Sequence, residues 1–155
     1  MTLSTVAHDT FVIHRTYGFP TAKVFRAWTD PALKARWFAG SADALGDGYE
    51  LDFRVGGREF SRGGPPGGPV YTYESQFRDI VPEQRIVYTY EMFADDDRIS
   101  VSVATVQFNE NDATTQLVVT EQGVYLDGHD TATQREEGTR SLLDALAATL
   151  HAGAS

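Results

Sequence analysis

The stretch VYTYESQFRDIVPEQRIVYTYEMF, residues 70–93, alternates apolar and polar side chains along most of its length. Such alternation is typical of a strand that buries one face of its sheet. The proline-containing segment Val81–Gln84 interrupts the pattern and predicts a turn between two strands. Similar alternation in Ile99–Phe108 and Thr114–Gln122, with polar turns between the segments, extends the prediction to an antiparallel meander.

Upstream of the meander, the sequence predicts a strand, two short helices and a second strand. Thr10–Tyr17 is rich in the β-branched and aromatic residues that favour strands. Thr21–Thr29 carries apolar residues at helical spacing, and Asp30–Pro31 can cap and begin a second helix that ends near Gly40. Tyr49–Val55 alternates again, so we expect six or seven strands in all.

The last third of the chain predicts one long helix. Thr131–Leu150 is amphipathic, and its apolar stripe includes Gly138 and Leu142. A helix of about 20 residues is roughly 30 Å long. Because a curled antiparallel sheet has to cover one apolar face, we expect this helix to lie across the concave face of the sheet.

Composition limits the classes of function. The chain has 155 residues, of which 41% are hydrophobic, and this favours a single domain over residues 1–155 with its core within about 10–150. A net charge of -9 argues against nucleic acid or an anionic membrane as partner. The absence of cysteine excludes disulfides, thiolate metal sites and cysteine nucleophiles. Without a membrane-length apolar run or a signal-peptide pattern, we expect a cytoplasmic protein.

The glycine- and proline-rich segment Gly63–Pro69 can form neither a helix nor a central strand, so it predicts a loop. Its glycines would let it move as a lid over a cavity entrance; the alternative is a hairpin tip without a role. Its prolines lack the N–H groups that a phosphate-binding loop uses, so we expect no nucleotide site there.

Aromatic side chains recur in phase along the predicted strands, and two more come from the second short helix. If the sheet curls around the long helix, these rings meet in its concavity. There they either fill the core or surround a cavity for a small molecule. The candidate lining residues are Trp37, Phe38, Phe53, Tyr71, Tyr73, Tyr88, Tyr90, Val119, Glu121 and Leu142.

Glu121 is the polar candidate in this set, since it follows Leu117 and Val119 on the same face of the last strand. A carboxylate on an apolar face needs a raised pKa or a partner, such as Arg54. It could orient the polar end of a ligand or serve as a general base. Alternatively the strand leaves the core before Glu121, and the carboxylate is solvated.

No metal site or cofactor is expected from the sequence. The four histidines lie on separate predicted elements and lack zinc-site spacing; they are His8, His14, His129 and His151. Asp95–Asp97 lacks the glycine and glutamate of a calcium-binding loop and predicts a turn.

Several strings resemble those of a known family, namely residues 20–38 (PTAKVFRAWTDPALKARWF), 51–68, 71–90, 115–123 (TQLVVTEQG) and 135–146 (REEGTRSLLDAL). The chain resembles the START-like (SRPBCC) superfamily, and within it the AHSA-like homologues of the activator of the heat-shock protein ATPase. The resemblance implies an α+β helix-grip fold. Such a fold has a curved antiparallel sheet of six to seven strands, two short helices after the first strand and a long C-terminal helix across the concave face.

The resemblance also implies functions. The first is binding of an apolar or aromatic small molecule between sheet and helix, by a monomer or homodimer. The alternatives are a protein-interaction module that stimulates a chaperone ATPase, and a cyclase- or hydratase-type enzyme that uses Glu121. Two positions depart from many relatives: Thr139 stands where they carry tryptophan, and Ala39–Ser41 contains no proline. We expect both departures to reshape the cavity mouth.

Overall fold

A seven-stranded antiparallel sheet forms the frame of the computed structural model, which describes residues 3–44 and 46–153. The sheet order is β1-β7-β6-β5-β4-β3-β2, so the first strand pairs with the last and the others follow chain order. The strands are β1 Val6–Tyr17, β2 Tyr49–Leu51, β3 Arg58–Gly63, β4 Tyr71–Val81, β5 Arg85–Ala94, β6 Asp97–Asn111 and β7 Thr114–Leu126.

The helices are α1 Thr21–Thr29, α2 Pro31–Phe38 and α3 Ala132–Ala152, and a short 3₁₀ turn spans Ala42–Ala44. Asp30 caps α2, since its Oδ1 accepts the N–H groups of Ala32 and Leu33 at 3.0 and 3.1 Å. Thr131 caps α3 by accepting the N–H of Gln134 at 3.1 Å. The predicted element order and the helix-grip fold are confirmed.

The second strand is shorter than its alternation predicted, because it ends at Leu51 instead of Val55. Beyond it the chain folds into a tight turn in which a Cβ on Gly57 would lie 2.1 Å from the carbonyl oxygen of Asp52. Glycine is therefore required at residue 57. The turn then pairs with β4, where Gly56 donates its N–H to the carbonyl of Phe77 at 2.8 Å.

Helix α3 lies across the inner face of the sheet, and its two halves differ in their contacts. The second half packs into the core through Leu143, Leu146 and Leu150, all buried. The first half contributes residues to a cavity instead. Irregular pairing after Phe77 in β4 and after Met92 in β5 marks bulges, which increase strand bending.

Within the described part of the chain, no helix combines the length and apolar character that crossing a membrane requires.

Candidate functional site: a cavity beneath the C-terminal helix

A cavity of about 510 Å³ lies between the first half of α3, the end of α2 and the inner face of the sheet. Its wall contains nine of the ten candidate residues, which are Trp37, Phe38, Tyr71, Tyr73, Tyr88, Tyr90, Val119, Glu121 and Leu142. Tyr71 stands at the rim with 40% of its surface exposed, whereas Tyr73 and Tyr90 are buried. The rings thus do not fill the concavity completely. That these residues bind a ligand stays a prediction.

Phe53 lies outside the cavity wall. Its ring packs against Phe25 and Phe77, with centroids 5.8 and 4.9 Å apart. Phe53 follows the end of β2, and its side chain packs against the main hydrophobic core instead of lining the cavity.

Several wall residues were not among the sequence-based candidates, notably Trp28, Met92, Asp130, Arg135 and Gly138. Arg135, Gly138 and Leu142 lie three and seven residues apart along α3, which places them on one helix face. This spacing was the one sequence feature that could have indicated Arg135 as a residue of the cavity wall. It is weak by itself, because an arginine on an amphipathic helix is usually solvated.

One end of the cavity is polar, and Glu121 is at its centre. Glu121 is buried, with 3% of its surface exposed, and its Oε2 accepts the hydroxyl of Tyr90 at 2.7 Å. Arg135 donates from Nη1 to the same Tyr90 oxygen at 2.8 Å and lies 3.8 Å from Glu121 Oε2. The carboxylate therefore has both a hydrogen-bond donor and a counter-charge.

Arg135 holds the rest of this cluster together. Its Nη2 donates to Ser100 Oγ at 2.8 Å and to Asp130 Oδ2 at 2.7 Å, so the guanidinium ties α3 to β6 and to the loop before the helix. Arg54, suggested by the sequence as a partner of Glu121, instead pairs with Asp52 at 2.8 Å and is 72% exposed. Arg54 does not belong to the cavity wall.

Burial raises the pKa of Glu121, and the hydrogen bond from Tyr90 and the charge of Arg135 oppose that rise. A carboxyl whose pKa is higher in the folded than in the unfolded state binds its proton more tightly when folded. The folded state therefore loses stability as the pH rises from the unfolded pKa through the folded pKa.

We accordingly expect Glu121→Gln to gain stability relative to the parent protein as the pH rises above about 4.5, because the glutamine has no proton to lose. A tenfold difference in proton affinity between the folded and unfolded states corresponds to about 1.4 kcal/mol. Urea unfolding at pH 4.5 and pH 8 measures the difference. Glu110→Gln, at an exposed carboxylate, serves as control and should give no such trend. A gap between Glu121→Gln and parent that is the same at both pH values would contradict the prediction.

A second buried charged cluster lies behind the α2 side of the cavity. Lys34 and Glu59 are 3% and 2% exposed, and Lys34 Nζ donates to both Glu59 oxygens at 3.1 and 2.8 Å. The hydroxyl of Tyr49 donates to Glu59 Oε2 at 2.5 Å. The three residues thus join α2, β3 and β2.

Aromatic rings surround the ammonium group of Lys34. Nζ lies 4.4 Å from the ring centroid of Phe38, 5.1 Å from Trp28 and 5.2 Å from Trp37. Burial lowers the pKa of Lys34, while the adjacent Glu59 carboxylate raises it. Because these three rings also line the cavity, the ion pair fixes part of its wall.

The two departures from the family pattern both lie in the cavity wall, as Ala39 and Thr139. Thr139 donates its hydroxyl to the carbonyl of Arg135 at 2.9 Å and projects far less than a tryptophan would. Two residues of the glycine-rich loop, Gly63 and Gly64, belong to the cavity wall. The suggested role of this loop as a lid stays a prediction.

Residues 3–44 and 46–153 contain no group of three metal-ligating side chains.

Comparison with solved structures finds close similarity over almost the whole chain. The Mll3558 protein from Rhizobium loti is 46% identical, with a TM-score of 0.86, and the match covers 94% of this chain and 99% of that chain. An uncharacterized protein from Rhizobium leguminosarum is 41% identical, with a TM-score of 0.90 and coverage of 97% and 99%.

More distant structures share the fold alone. DynU16, a protein of the dynemicin biosynthetic locus, is 16% identical, with a TM-score of 0.67, and the match covers 94% of this chain and 48% of that chain. Comparison with curated proteins found no match. The family model described as Activator of Hsp90 ATPase homolog 1-like protein matches residues 19–151, and the chain belongs to that family.

Proposed function

We propose that this protein binds an apolar or aromatic small molecule in the cavity between its sheet and α3. The observation that carries the proposal is the cavity itself, whose volume of about 510 Å³ falls within the range of small-molecule pockets. Among the described residues its wall contains seven aromatic side chains, and Glu121, Arg135 and Asp130 form a polar end. The charged wall residues Asp47 and Arg62 are exposed. A ligand with a ring body and a polar end fits this distribution.

The charges at the polar end support binding without demanding a charged ligand. Arg135 pairs with both Glu121 and Asp130, so this end of the cavity carries one net negative charge when both carboxyls are ionised. The wall also presents aromatic rings and small side chains, among them Gly138 on α3 and Val119 on β7. Burial of apolar ligand surface against these walls is therefore the main driving force for binding.

The neutral fluorescent probe N-phenyl-1-naphthylamine tests the proposal. Both tryptophans of the chain, Trp28 and Trp37, belong to the cavity wall, so a bound probe should quench their emission by energy transfer. We expect saturable binding with a 1:1 stoichiometry and a dissociation constant in the micromolar range, as is usual for an unoptimised apolar probe. Native mass spectrometry of protein purified from its own host would then identify the natural ligand.

Energy transfer acts over distances comparable with the size of this domain, so quenching alone does not locate the probe. A substitution in the cavity wall, such as Gly138→Leu, does. Absence of saturable quenching up to the solubility limit of the probe would contradict the proposed function.

A further inference from the structure

The hydroxyl of Tyr88 is a polar group of the cavity wall that the protein leaves without a partner. Tyr88 lines the cavity from β5, and in the part of the chain that the structure describes no side chain hydrogen-bonds its oxygen. Its ring is held in place, with centroids 6.2 Å from Phe77 and 6.1 Å from Tyr90. Tyr88 is only partly buried, and its hydroxyl has no acceptor among the described residues, so a ligand that supplies one gains a hydrogen bond.

Most other polar groups deep in the wall are already paired; the indole N–H of Trp28 has no partner among the described residues, but its nitrogen has almost no accessible surface. Tyr90 donates to Glu121, and Arg135 donates to Tyr90, Ser100 and Asp130. The indole N–H of Trp37 donates to the carbonyl of Ala27 at 2.9 Å, and the hydroxyl of Thr139 donates to the carbonyl of Arg135. New hydrogen bonds to a ligand would have to break these contacts, whereas Tyr88 offers one without such a loss.

Tyr88 keeps its proton over the physiological pH range. Burial raises its pKa well above the usual value, and the nearby carboxylate of Glu121 raises it further. The group is therefore a phenol, and phenols are better donors than acceptors because the ring withdraws electron density from the oxygen. The same carboxylate repels a ligand anion at this position, while Arg135 is engaged with its own partners.

We propose that the ligand is a neutral ring compound bearing a carbonyl oxygen, which accepts a hydrogen bond from the hydroxyl of Tyr88. This inference rests on the proposed function, and it adds the chemical class of the ligand. The rings around Tyr88 pack against the faces of the ligand, and the carbonyl oxygen orients it in the cavity.

Three probes of one shape test the inference by displacement of N-phenyl-1-naphthylamine. Diphenylmethane has the two rings alone, benzophenone adds a carbonyl oxygen between them, and diphenylacetate adds a carboxylate. We expect benzophenone to bind more tightly than diphenylmethane, and diphenylacetate to bind most weakly. In Tyr88→Phe the preference for benzophenone over diphenylmethane should fall about five- to tenfold, the effect of one neutral hydrogen bond.

Tyr125→Phe is the matched control. The hydroxyl of Tyr125 is also buried without a partner among the described residues, but Tyr125 does not belong to the cavity wall. Its removal should leave the ratio of the two affinities unchanged. If diphenylmethane and benzophenone both bind but Tyr88→Phe leaves their ratio unchanged, the inference is wrong while the proposed function stands. If neither probe binds, the proposed function is wrong, and the inference that rests on it is wrong as well.

Discussion

Replacing Glu59 with glutamine will lower the free energy of unfolding by about 3–5 kcal/mol, the usual consequence of leaving a buried charge without its partner. Lys34 loses its counter-charge, and its ammonium group is 3% exposed, so water cannot replace the carboxylate. The surrounding rings of Phe38 and Trp37 attract the cation only weakly by comparison. Urea unfolding followed by far-UV circular dichroism measures the loss.

The exposed ion pair between Arg85 and Asp79 provides the matched control. Its side chains are 53% and 43% exposed, so Asp79→Asn should change stability by about 1 kcal/mol or less. A loss for Glu59→Gln no larger than that of Asp79→Asn would show that Lys34 reaches water.

A combined variant keeps this prediction testable if Glu59→Gln fails to fold. Lys34→Met, Glu59→Leu and Tyr49→Phe together replace the whole cluster by apolar side chains of similar volume. Removal of all partners at once leaves none of these groups buried and unpaired, so we expect the triple variant to be more stable than Glu59→Gln. A triple variant as unstable as Glu59→Gln would indicate that these residues stabilise by shape instead of charge.

Replacing Gly138 with leucine will weaken the proposed binding of a small molecule without loss of stability. Gly138 lies on α3 in the cavity wall, and apart from the adjacent helix backbone no heavy atom lies within 4 Å of the position that a Cβ would take. A leucine side chain therefore extends into the space that the ligand needs. We expect the dissociation constant for N-phenyl-1-naphthylamine to rise at least tenfold, or about 1.4 kcal/mol.

The same substitution should raise the free energy of unfolding by up to about 1 kcal/mol, since glycine is unfavourable in a helix interior. Ser141→Leu, on the exposed face of α3, is the control and should leave the affinity unchanged. Unaltered probe affinity in Gly138→Leu would place the binding site elsewhere. A loss of stability would mean that the space next to Gly138 is smaller than the structure indicates.

The element order was predictable because its signals are local. Alternation marks β4 to β7, and the caps Asp30 and Thr131 mark where α2 and α3 begin. The end of β2 was not predictable in this way. It depends on the close approach of Gly57 to Asp52 and on pairing of that turn with β4, which alternation does not record.

The charged clusters depend on contacts between distant segments. Lys34 stands three and four residues before Trp37 and Phe38, which places all three on one face of α2, yet a lysine there normally reaches solvent. The burial of Lys34 depends on its contact with Glu59, which lies 25 residues further along the chain and could not be paired with Lys34 from the sequence. The same holds for Glu121, whose partner Arg135 comes from the following helix.

Helix α3 is attached to the sheet in its first turns and near its middle, and this limits the route by which a ligand would enter the cavity. Arg135 fastens the first turns to β6, while in the second half the hydroxyl of Tyr17 donates to the carbonyl of Leu143 at 2.9 Å. Lifting the helix would break both attachments. The opposite rim is formed by the segments around Gly48 and Gly64, together with the exposed ring of Tyr71. Exchange with bulk solvent is therefore expected across that rim, so the rate of ligand uptake should depend on the chain at the glycine-rich side instead of on motion of α3.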